Sequence, residues 1–500
     1  MNEHNKKGVI ANPLVILREE FDDGVILFDP ETGNTYGVNP IGVLVWKHLD
    51  GRHNLDDIAE IVCERAEAVP SDVTTHIENF VQAVIALGLA NYEAYMNIPP
   101  SLLCQRGVRG DIRASLGPLR ACALNKDLPA VQVMKTPRNV DIEITSFCNL
   151  RCAYCSHFSG PGDVKEDLPL ESWLQFFTEL GRGNIMSITL SGGEPFSRPD
   201  LRAIILAIVA NRMRFTILSN GTLIDNEMAA FLAATGRCDL VQVSIDGAID
   251  TTHDAFRGEG NFMKAIRGIH ALQANHLPVS VRVTIHRRNV HELDAIASYL
   301  LDDLELPSFS TNSASHMGLC RKNAAQTQLT VGEHSLAMET LLALAARYKG
   351  RINASAGPLA DAQFWLEMEH SRRENRERPA GRGFLTGCSG PMQTIAVRAD
   401  GVIVPCSQLC HLSLGRINQD DLGEIWRRHP ELQSLRKRSR ISLEDFPFCR
   451  DCPYTSYCTG NCPAIAYSLT GKIDHPSPDA CLRQFLKQGG RLPEVTRILG

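Results

Sequence analysis

Cysteine clustering constrains this chain more than any other feature of its sequence. Three of the 16 cysteines lie between positions 148 and 155, and eight lie between 388 and 481. In a reducing compartment, a large cysteine-rich enzyme uses thiols for metal more often than for disulfides. We therefore expect two metal-binding regions in a chain of 500 residues, a length that predicts two or three domains.

The compartment and the partner classes follow from charge and hydropathy. Residues 1–8 are polar and charged, unlike a secretory signal, and no apolar run approaches the roughly 20 residues of a membrane span. A formal net charge of −6 offers no broad basic surface for phosphates. We expect a cytoplasmic protein that binds neither membrane nor nucleic acid.

Pattern changes along the chain predict a multidomain α/β protein of five segments. Short alternating runs followed by amphipathic helices mark the first segment, and alternation of apolar runs with amphipathic helices marks the third. The segments are a small strand-then-helix module at 10–95, a linker at 96–138, an α/β core at 139–350, a connector at 351–386 and a cysteine-rich domain at 387–487.

The α/β core alternates strands with helices. Such alternation is typical of a parallel sheet, closed or partly closed as a barrel, with ligands at the carboxyl ends of its strands. The predicted strands are Val140–Ile144, Met186–Leu190, Phe215–Leu218, Leu240–Ile245 and Val279–Ile285. The predicted helices include Leu170–Leu180, Asp200–Ala210 and Phe262–Ala274.

The first metal-binding region directly follows the first of these strands. Cys148, Cys152 and Cys155 can wrap one iron–sulfur cluster from a single loop. A cubane has four irons, so one iron is left without a protein ligand. A zinc site is the alternative, although structural zinc normally takes four protein ligands.

Three further polar runs follow predicted strands, in the same order along the core. They are Ser191-Gly192-Gly193-Glu194-Pro195, Ser219-Asn220-Gly221-Thr222 and Ser244-Ile245-Asp246-Gly247. Glycine permits close backbone approach, a carboxylate accepts from an ammonium group, and the other polar groups suit a ribose. Each run alone is typical of a turn, whereas their shared position at strand ends indicates one ligand site.

These runs resemble the signatures of the radical S-adenosylmethionine (SAM) superfamily, including Tyr154 before the last cysteine of the Cys148–Cys155 run. The resemblance implies a partial (β/α)6 barrel whose open iron chelates SAM and whose cluster cleaves SAM to a 5′-deoxyadenosyl radical. It assigns no catalytic side chain, and the nearby His253 is equally compatible with a structural role. The implied cofactor-binding residues are Tyr154, Gly192, Gly193, Glu194, Ser219, Asn220, Ser244 and Asp246.

The second metal-binding region follows the seven-cysteine spacing of the SPASM domain and resembles that domain; a pair of zinc ribbons is the alternative. The resemblance implies two auxiliary [4Fe-4S] clusters, and so three clusters in all. Its outer cluster would be held by Cys449, Cys452, Cys458 and Cys481, and its inner cluster by Cys388, Cys406 and Cys462. Either Cys410 completes the inner cluster or an iron there is open to a substrate thiolate, and a free buried thiol is the third interpretation of Cys410.

The amino-terminal module, with Val25–Pro30 and Tyr36–Asn39, resembles the PqqD-like peptide chaperones of pyrroloquinoline quinone biosynthesis. That resemblance implies a winged-helix-like leader-recognition domain, to which an extended precursor peptide adds as a strand. A small regulatory or dimerisation domain is the alternative.

Together these resemblances imply a radical SAM maturase of a ribosomally synthesised peptide, supplied with electrons by a reduced donor such as flavodoxin or ferredoxin. A thioether crosslink is the favoured product. Two alternatives stay open: a radical SAM enzyme that modifies a protein residue or a small cofactor precursor, and an iron–sulfur electron-transfer protein without SAM chemistry.

Overall fold

The computed structural model describes residues 8–19, 25–67, 70–92, 109–121, 134–157 and 166–494. They fall into two units. The first comprises the chain through Arg138 with Phe177–Met186 and Ala207–Arg214, and the second comprises Asn139–Phe176, Ser187–Leu206 and the chain from Phe215 onward. No helix within the described ranges is long and apolar enough to cross a membrane.

The amino-terminal module places strands before helices, as predicted. Its elements are β1 (Ile10–Ala11), β2 (Ile16–Glu19), β3 (Val25–Phe28), β4 (Thr35–Val38), α1 (Pro40–Lys47), α2 (Leu55–Arg65), α3 (Val73–Ala86) and β5 (Ala90–Asn91). Strands β2, β3 and β4 pair in antiparallel register, and β1 pairs with β5. Asparagine caps begin two helices: Asn39 accepts from the Gly42 N–H of α1, and Asn54 forms a capping box with Asp57 of α2.

Part of the predicted linker packs into this module. Strand β6 (Arg109–Asp111) pairs in parallel with β4 and completes a four-stranded sheet of order β2-β3-β4-β6. The 3₁₀ segment Arg113–Ala121 then buries Leu116 and Leu119 completely in the core formed with α1, α2 and α3. The linker positions 96–108 and 122–133 lie outside the described residues.

A ten-stranded sheet carries the barrel, and the predicted α/β fold class is confirmed. Its strands are β7 (Asn139–Thr145), β8 (Ser187–Gly192), β9 (Arg214–Ser219), β10 (Cys238–Ser244), β11 (Val279–Ile285), β12 (Phe309–Ser313), β13 (Ile352–Ala354), β14 (Thr394–Val397), β15 (Val402–Val404) and β16 (Gly415–Arg416). Their order is β13-β12-β11-β10-β9-β8-β7-β14-β15-β16, so the sheet is open at β13 and β16. All five predicted strands are present, with ends displaced by no more than two residues.

Helices connect and cover these strands. The barrel helices are α4 (Leu170–Arg182), α5 (Leu201–Ala210), α6 (Asn226–Ala234), α7 (Asp250–Arg257), α8 (Asn261–Ala274), α9 (Leu293–Ser298), α10 (Gly318–Lys322), α11 (Ala324–Thr327), α12 (Val331–Arg347) and α13 (Pro358–Arg373). The remaining helices are α14 (Gly390–Gln393), α15 (Leu422–Arg428), α16 (Pro430–Lys437), α17 (Pro463–Thr470) and α18 (Leu482–Lys487).

Alternation along β7 shows why the barrel has two different faces. Val140, Ile142 and Ile144 are fully buried, whereas Asp141 and Glu143 are only partly buried. Successive side chains of a strand point to opposite faces. The apolar face of β7 therefore packs in the core, and its polar face is left for the barrel interior.

The predicted connector and the cysteine-rich domain continue the sheet. Residues 351–386 contain β13 and α13, and Trp365 of α13 is 1% exposed within an apolar cluster that also contains Met338 of α12. Strand β14 pairs in parallel with β7, with Thr394 opposite Asn139, and β15 and β16 follow in antiparallel register. The second cysteine region therefore begins on the strand next to the one that leads to the first.

Candidate functional site

The loop after β7 brings the three predicted thiols together. The Cys155 N–H donates to the Cys152 carbonyl at 3.0 Å, and the Leu150 N–H donates to Cys148 Sγ at 3.4 Å. Burial, opposed by the Arg257 charge and supported by the charges of Cys155 and Cys148, raises the pKa of Cys152 to about 12. Because iron binds thiolates, loading this loop releases protons.

Two glycines at the end of β8 let this loop lie against the strand. The Gly193 N–H donates to the Thr145 carbonyl at 2.9 Å. A Cβ at Gly192 would lie 2.2 Å from the Thr145 carbonyl oxygen, and a Cβ at Gly193 would lie 1.9 Å from that of Phe147. The φ of +134° at Gly192 is also disfavoured for other residues. Backbone packing of the cysteine loop therefore requires both glycines.

Glu194 joins the ends of β8 and β9. It is fully buried, and its carboxylate accepts from Ser219 Oγ and the Asn220 N–H at 2.8 Å each and from the Phe196 N–H at 3.1 Å. Burial raises the pKa of the Glu194 carboxyl to about 7, although these donors lower it. Asn220 Nδ2 in turn donates to Asn149 Oδ1 at 2.9 Å. Glu194 thereby fixes the β9 end against the cysteine loop.

Asp246, which has no exposed surface, lies at the centre of a buried polar network. Its carboxylate accepts from Arg257 Nε at 2.6 Å, from the Thr284 N–H at 2.9 Å and from the Tyr154 hydroxyl. Burial alone would raise the pKa of Asp246, but the Arg257 charge and two nearby histidines hold it at about 2. Asp246 therefore stays ionised and accepts a hydrogen bond from Tyr154, the residue directly before Cys155.

Two buried histidines complete this network. The Asp246 N–H donates to His253 Nδ1 at 3.2 Å, and the His286 ring stacks on Tyr154 with centroids 5.6 Å apart. Burial lowers the pKa of each histidine to about 4. Both are neutral near pH 7, which supports the structural interpretation of His253. No local sequence signal pointed to His286.

A cavity of about 350 Å³ opens beside the cysteine loop. The predicted cofactor-binding residues that line it are Tyr154, Gly192, Gly193, Ser219, Asn220 and Ser244, together with all three loop cysteines. Glu194 and Asp246 instead lie behind its wall, with no exposed surface. Sequence analysis missed several lining residues: Glu143, Gln242, Arg257, Thr284, Asn312, Ser407 and Gln408. Strand alternation was the available signal for Glu143, Gln242 and Thr284.

The members of the outer cysteine group, Cys449, Cys452, Cys458 and Cys481, all line a second, small cavity. Burial, together with the charges of the other three thiols, raises the pKa of Cys449 to about 12. The Gly460 N–H donates to Cys458 Sγ at 3.4 Å. Four thiols thus line one small cavity.

The inner cysteine group, Cys388, Cys406 and Cys462, is also brought together. Burial raises the pKa of Cys406 to about 11, with further contributions from the Cys388 and Cys462 charges. The Gly390 N–H donates to Cys388 Sγ at 3.4 Å. Cys410 is exposed, and its carbonyl accepts from Arg398 at 3.1 Å.

The donor chemistry fits iron–sulfur clusters. No group of three or more His, Cys, Asp or Glu side chains converges on a single metal ion anywhere in the described ranges. A cubane binds each cysteine through a different iron, so its ligands need not converge on one ion. The three cysteine groups fit such clusters, because each supplies three or four thiols and one of these thiols accepts an N–H···S hydrogen bond.

Comparison with known proteins identifies the class. Residues 142–300 match the radical SAM superfamily, residues 24–90 match coenzyme PQQ synthesis protein D (PqqD), and residues 388–453 match the SPASM iron–sulfur cluster-binding domain. The chain is therefore a radical SAM enzyme that uses SAM and [4Fe-4S] clusters. More particularly, it combines the radical SAM and SPASM domains with an amino-terminal PqqD domain in one chain.

Curated relatives and solved structures extend this result. The AdoMet-dependent heme synthase of Methanosarcina barkeri is 27% identical over 353 residues, which cover 70% of this chain and 97% of the relative. Mycofactocin maturase MftC of Mycobacterium tuberculosis is 27% identical over 357 residues, covering 67% and 81%. Streptococcus suis SuiB bound to its precursor peptide SuiA has the same fold, with a TM-score of 0.63, 14% identity, and coverage of 95% of this chain and 100% of that chain.

Proposed function

We propose that this enzyme matures a ribosomally synthesised peptide by abstracting hydrogen from a precursor residue and forming a new bond at that carbon. The cavity carries the proposal, because its wall contains both the Cys148–Cys155 loop and Ser407 and Gln408, which directly follow Cys406. A substrate residue in this cavity would lie close to the centre that starts the radical and to the inner centre that takes up the surplus electron.

In this proposal the loop cysteines hold one [4Fe-4S] cluster whose remaining iron is free for the amino and carboxylate groups of SAM. Bound SAM supplies the 5′-deoxyadenosyl radical. Ser219, Asn220 and Ser244 line the cavity and would bind the polar groups of SAM. Glu194 and Asp246 would act from behind the wall, by fixing these residues and Tyr154.

The SPASM cysteines would hold two auxiliary [4Fe-4S] clusters, which makes three in all. Four thiols in the outer group satisfy every iron of a cubane. The inner group supplies three, and the exposed position of Cys410 favours an inner iron that is open to a substrate thiolate. This arrangement supports thioether formation from a peptide cysteine as the reaction.

The PqqD domain would bind the leader of the precursor. Its four-stranded sheet has β2 and β6 at its edges. An extended leader can pair with such an edge through main-chain hydrogen bonds, which give affinity without demanding one core sequence. SuiB, crystallised with its precursor peptide, and mycofactocin maturase support this substrate class. A small cofactor precursor is the second candidate, favoured by the similarity to AdoMet-dependent heme synthase.

Mass spectrometry of a precursor co-expressed with the full chain tests the proposal. Thioether formation removes two hydrogen atoms: one to the 5′-deoxyadenosyl radical, and one as a proton and an electron. We expect this loss, mapped to a cysteine-linked carbon, and we expect a leaderless precursor to stay unmodified. An unchanged mass, or epimerisation without mass loss, would contradict thioether chemistry, and turnover of a porphyrin-type precursor would favour the second candidate.

Radical SAM chemistry itself is tested by replacing Cys148, Cys152 and Cys155 together with Ala. The anaerobically reconstituted variant, reduced by flavodoxin or dithionite, should release no 5′-deoxyadenosine. Cys63→Ala is the matched control, because this exposed thiol on α2 lies outside all three cysteine groups. Retained SAM cleavage by the triple variant would disprove the assignment of the first cluster.

A further inference from the structure

Arg483 lines the small cavity that the outer cysteine group surrounds. Its guanidinium donates to the Arg450 carbonyl at 2.7 Å and to the Phe448 carbonyl, which places it against the segment that carries Cys449. The Nε–H of Arg483 is buried and has no hydrogen-bond partner within the protein.

A buried arginine also lies beside each of the other two cysteine groups, and both of these arginines are paired with a carboxylate. Arg257, whose charge acts on Cys152, binds Asp246 at 2.6 Å. Arg438, whose charge acts on Cys388, binds Asp474 at 3.1 Å. Among the described residues, no carboxylate forms an ion pair with Arg483. Arg483 therefore differs from these two buried arginines, because its charge is not offset by a bound carboxylate.

We propose that Arg483 donates its Nε–H to a sulfur of the outer cluster and raises the reduction potential of that cluster. The inference rests on the proposed ligand set, in which Cys449, Cys452, Cys458 and Cys481 hold this cluster. Arg483 is a tuning residue and takes no part in bond formation. It fits the site because an unpaired buried donor costs free energy unless an acceptor is present.

The direction of the effect follows from charge. One-electron reduction makes a cluster more negative by one unit, and a nearby cation and N–H···S bond stabilise the reduced form more than the oxidised form. Partial burial strengthens this interaction, because the effective dielectric constant is lower than in water. At the other two groups, the carboxylates of Asp246 and Asp474 offset much of the charge of Arg257 and Arg438, respectively.

The consequence concerns where an electron is most stable. If the outer cluster has a higher reduction potential than the inner cluster, a single electron delivered to the inner cluster is more stable on the outer cluster. No bond forms or breaks in this transfer: the inner cluster loses one electron and the outer cluster gains it. Arg483 would thus draw the surplus electron of the peptide reaction away from the substrate cavity.

A redox titration of the reconstituted full chain, followed by electron paramagnetic resonance, tests the proposal with Arg483→Gln, Arg483→Lys and the control Arg450→Gln. Arg450 is an exposed arginine of the same segment that lines neither cavity. The outer signal is the auxiliary signal that remains when Cys388 and Cys406 are both replaced by Ala. We expect Arg483→Gln to lower its reduction equilibrium about tenfold, a shift of about 59 mV, Arg483→Lys to lower it less, and Arg450→Gln to leave it unchanged.

The outcomes separate this inference from the proposed function. Fewer than three clusters in the wild-type chain, measured as iron and sulfide, would contradict the proposed ligand set. Three clusters with an unshifted outer potential in Arg483→Gln would overturn the role of Arg483. If Arg483→Gln loses the outer iron, Arg483→Lys decides: a lowered outer potential supports the role, and an unchanged potential overturns it.

Discussion

Replacing Gly193 with Ala should remove the first cluster while leaving the auxiliary clusters in place. The added Cβ would lie 1.9 Å from the Phe147 carbonyl oxygen and 2.7 Å from the Cys148 nitrogen, whereas real Cβ contacts are at least 3.0 Å. Both neighbours are backbone atoms and cannot rotate away, so the loop must shift by about 1.1 Å. Functional sites tolerate displacements of only about 0.5 Å. We therefore expect a loss of about four irons per chain and at least a tenfold fall in SAM cleavage.

Iron and sulfide analysis, with the rate of 5′-deoxyadenosine release, provides the assay. Gly332→Ala is the matched control, because a Cβ there meets no atom within 4 Å and Gly332 lies in helix α12. Alanine favours a helix over glycine by up to about 1 kcal/mol, so the control should be at least as stable as the wild type. If Gly193→Ala keeps its full iron content and cleaves SAM at the wild-type rate, the proposed close packing of β8 against the cysteine loop is wrong.

Three other changes give distinct signatures. Asp246→Asn leaves the Arg257 charge buried without its partner. It should lower the free energy of unfolding by about 3 kcal/mol in urea titrations near pH 7. The contribution of Asp246 to the free energy of unfolding is present above pH 3.8 and is lost as pH falls towards 2. The pKa of Glu194 is raised from 4.5 to about 7. The stabilising contribution of Glu194 to the free energy of unfolding is therefore present below pH 4.5 and is lost as pH rises through 7. The wild type should therefore lose about 3 kcal/mol relative to Glu194→Gln between pH 4.5 and 8, and equal pH profiles would contradict this. Cys410→Ala should leave the iron content unchanged, and a loss of iron would make Cys410 an inner ligand.

Local spacing predicted the first cysteine group, whereas the two groups of the second region were implied by resemblance to the SPASM domain. Cys148, Cys152 and Cys155 share one loop, so their meeting requires no long-range information. The strand β7 was equally accessible, because its apolar residues alternate along a buried face. Strand β12 was missed for the opposite reason: Phe309-Ser310-Thr311-Asn312-Ser313 contains only one strongly apolar residue, and pairing with β11 decides its conformation.

The roles of the two carboxylates required the folded chain. Spacing placed Glu194 and Asp246 at strand ends, but it does not determine which way a side chain turns there. Glu194 turns towards donors on Ser219 and Asn220, 25 and 26 residues further along, and Asp246 turns towards Arg257 and Thr284. These distant donors satisfy both carboxylates behind the cavity wall.

Strand direction explains how one cavity is lined both by the first cysteine group and by Ser407 and Gln408, which follow Cys406 of the inner group. Strand β7 runs to its carboxyl end and delivers Cys148, while β14 lies parallel to it and β15 runs in the opposite direction. In the sheet, Ala396 of β14 lies opposite both Asp141 of β7 and Val404 of β15. Asp141 is near the start of β7, whereas Val404 is the last residue of β15. Cys406 therefore leaves the sheet at the end opposite to the one from which Cys148 leaves it. The interior between these ends is lined by polar side chains such as Gln242. In the proposed function, a peptide residue that reaches into this interior would pass from the inner cysteine group towards SAM, and the reversal at β15 would let one radical and one electron acceptor serve the same substrate.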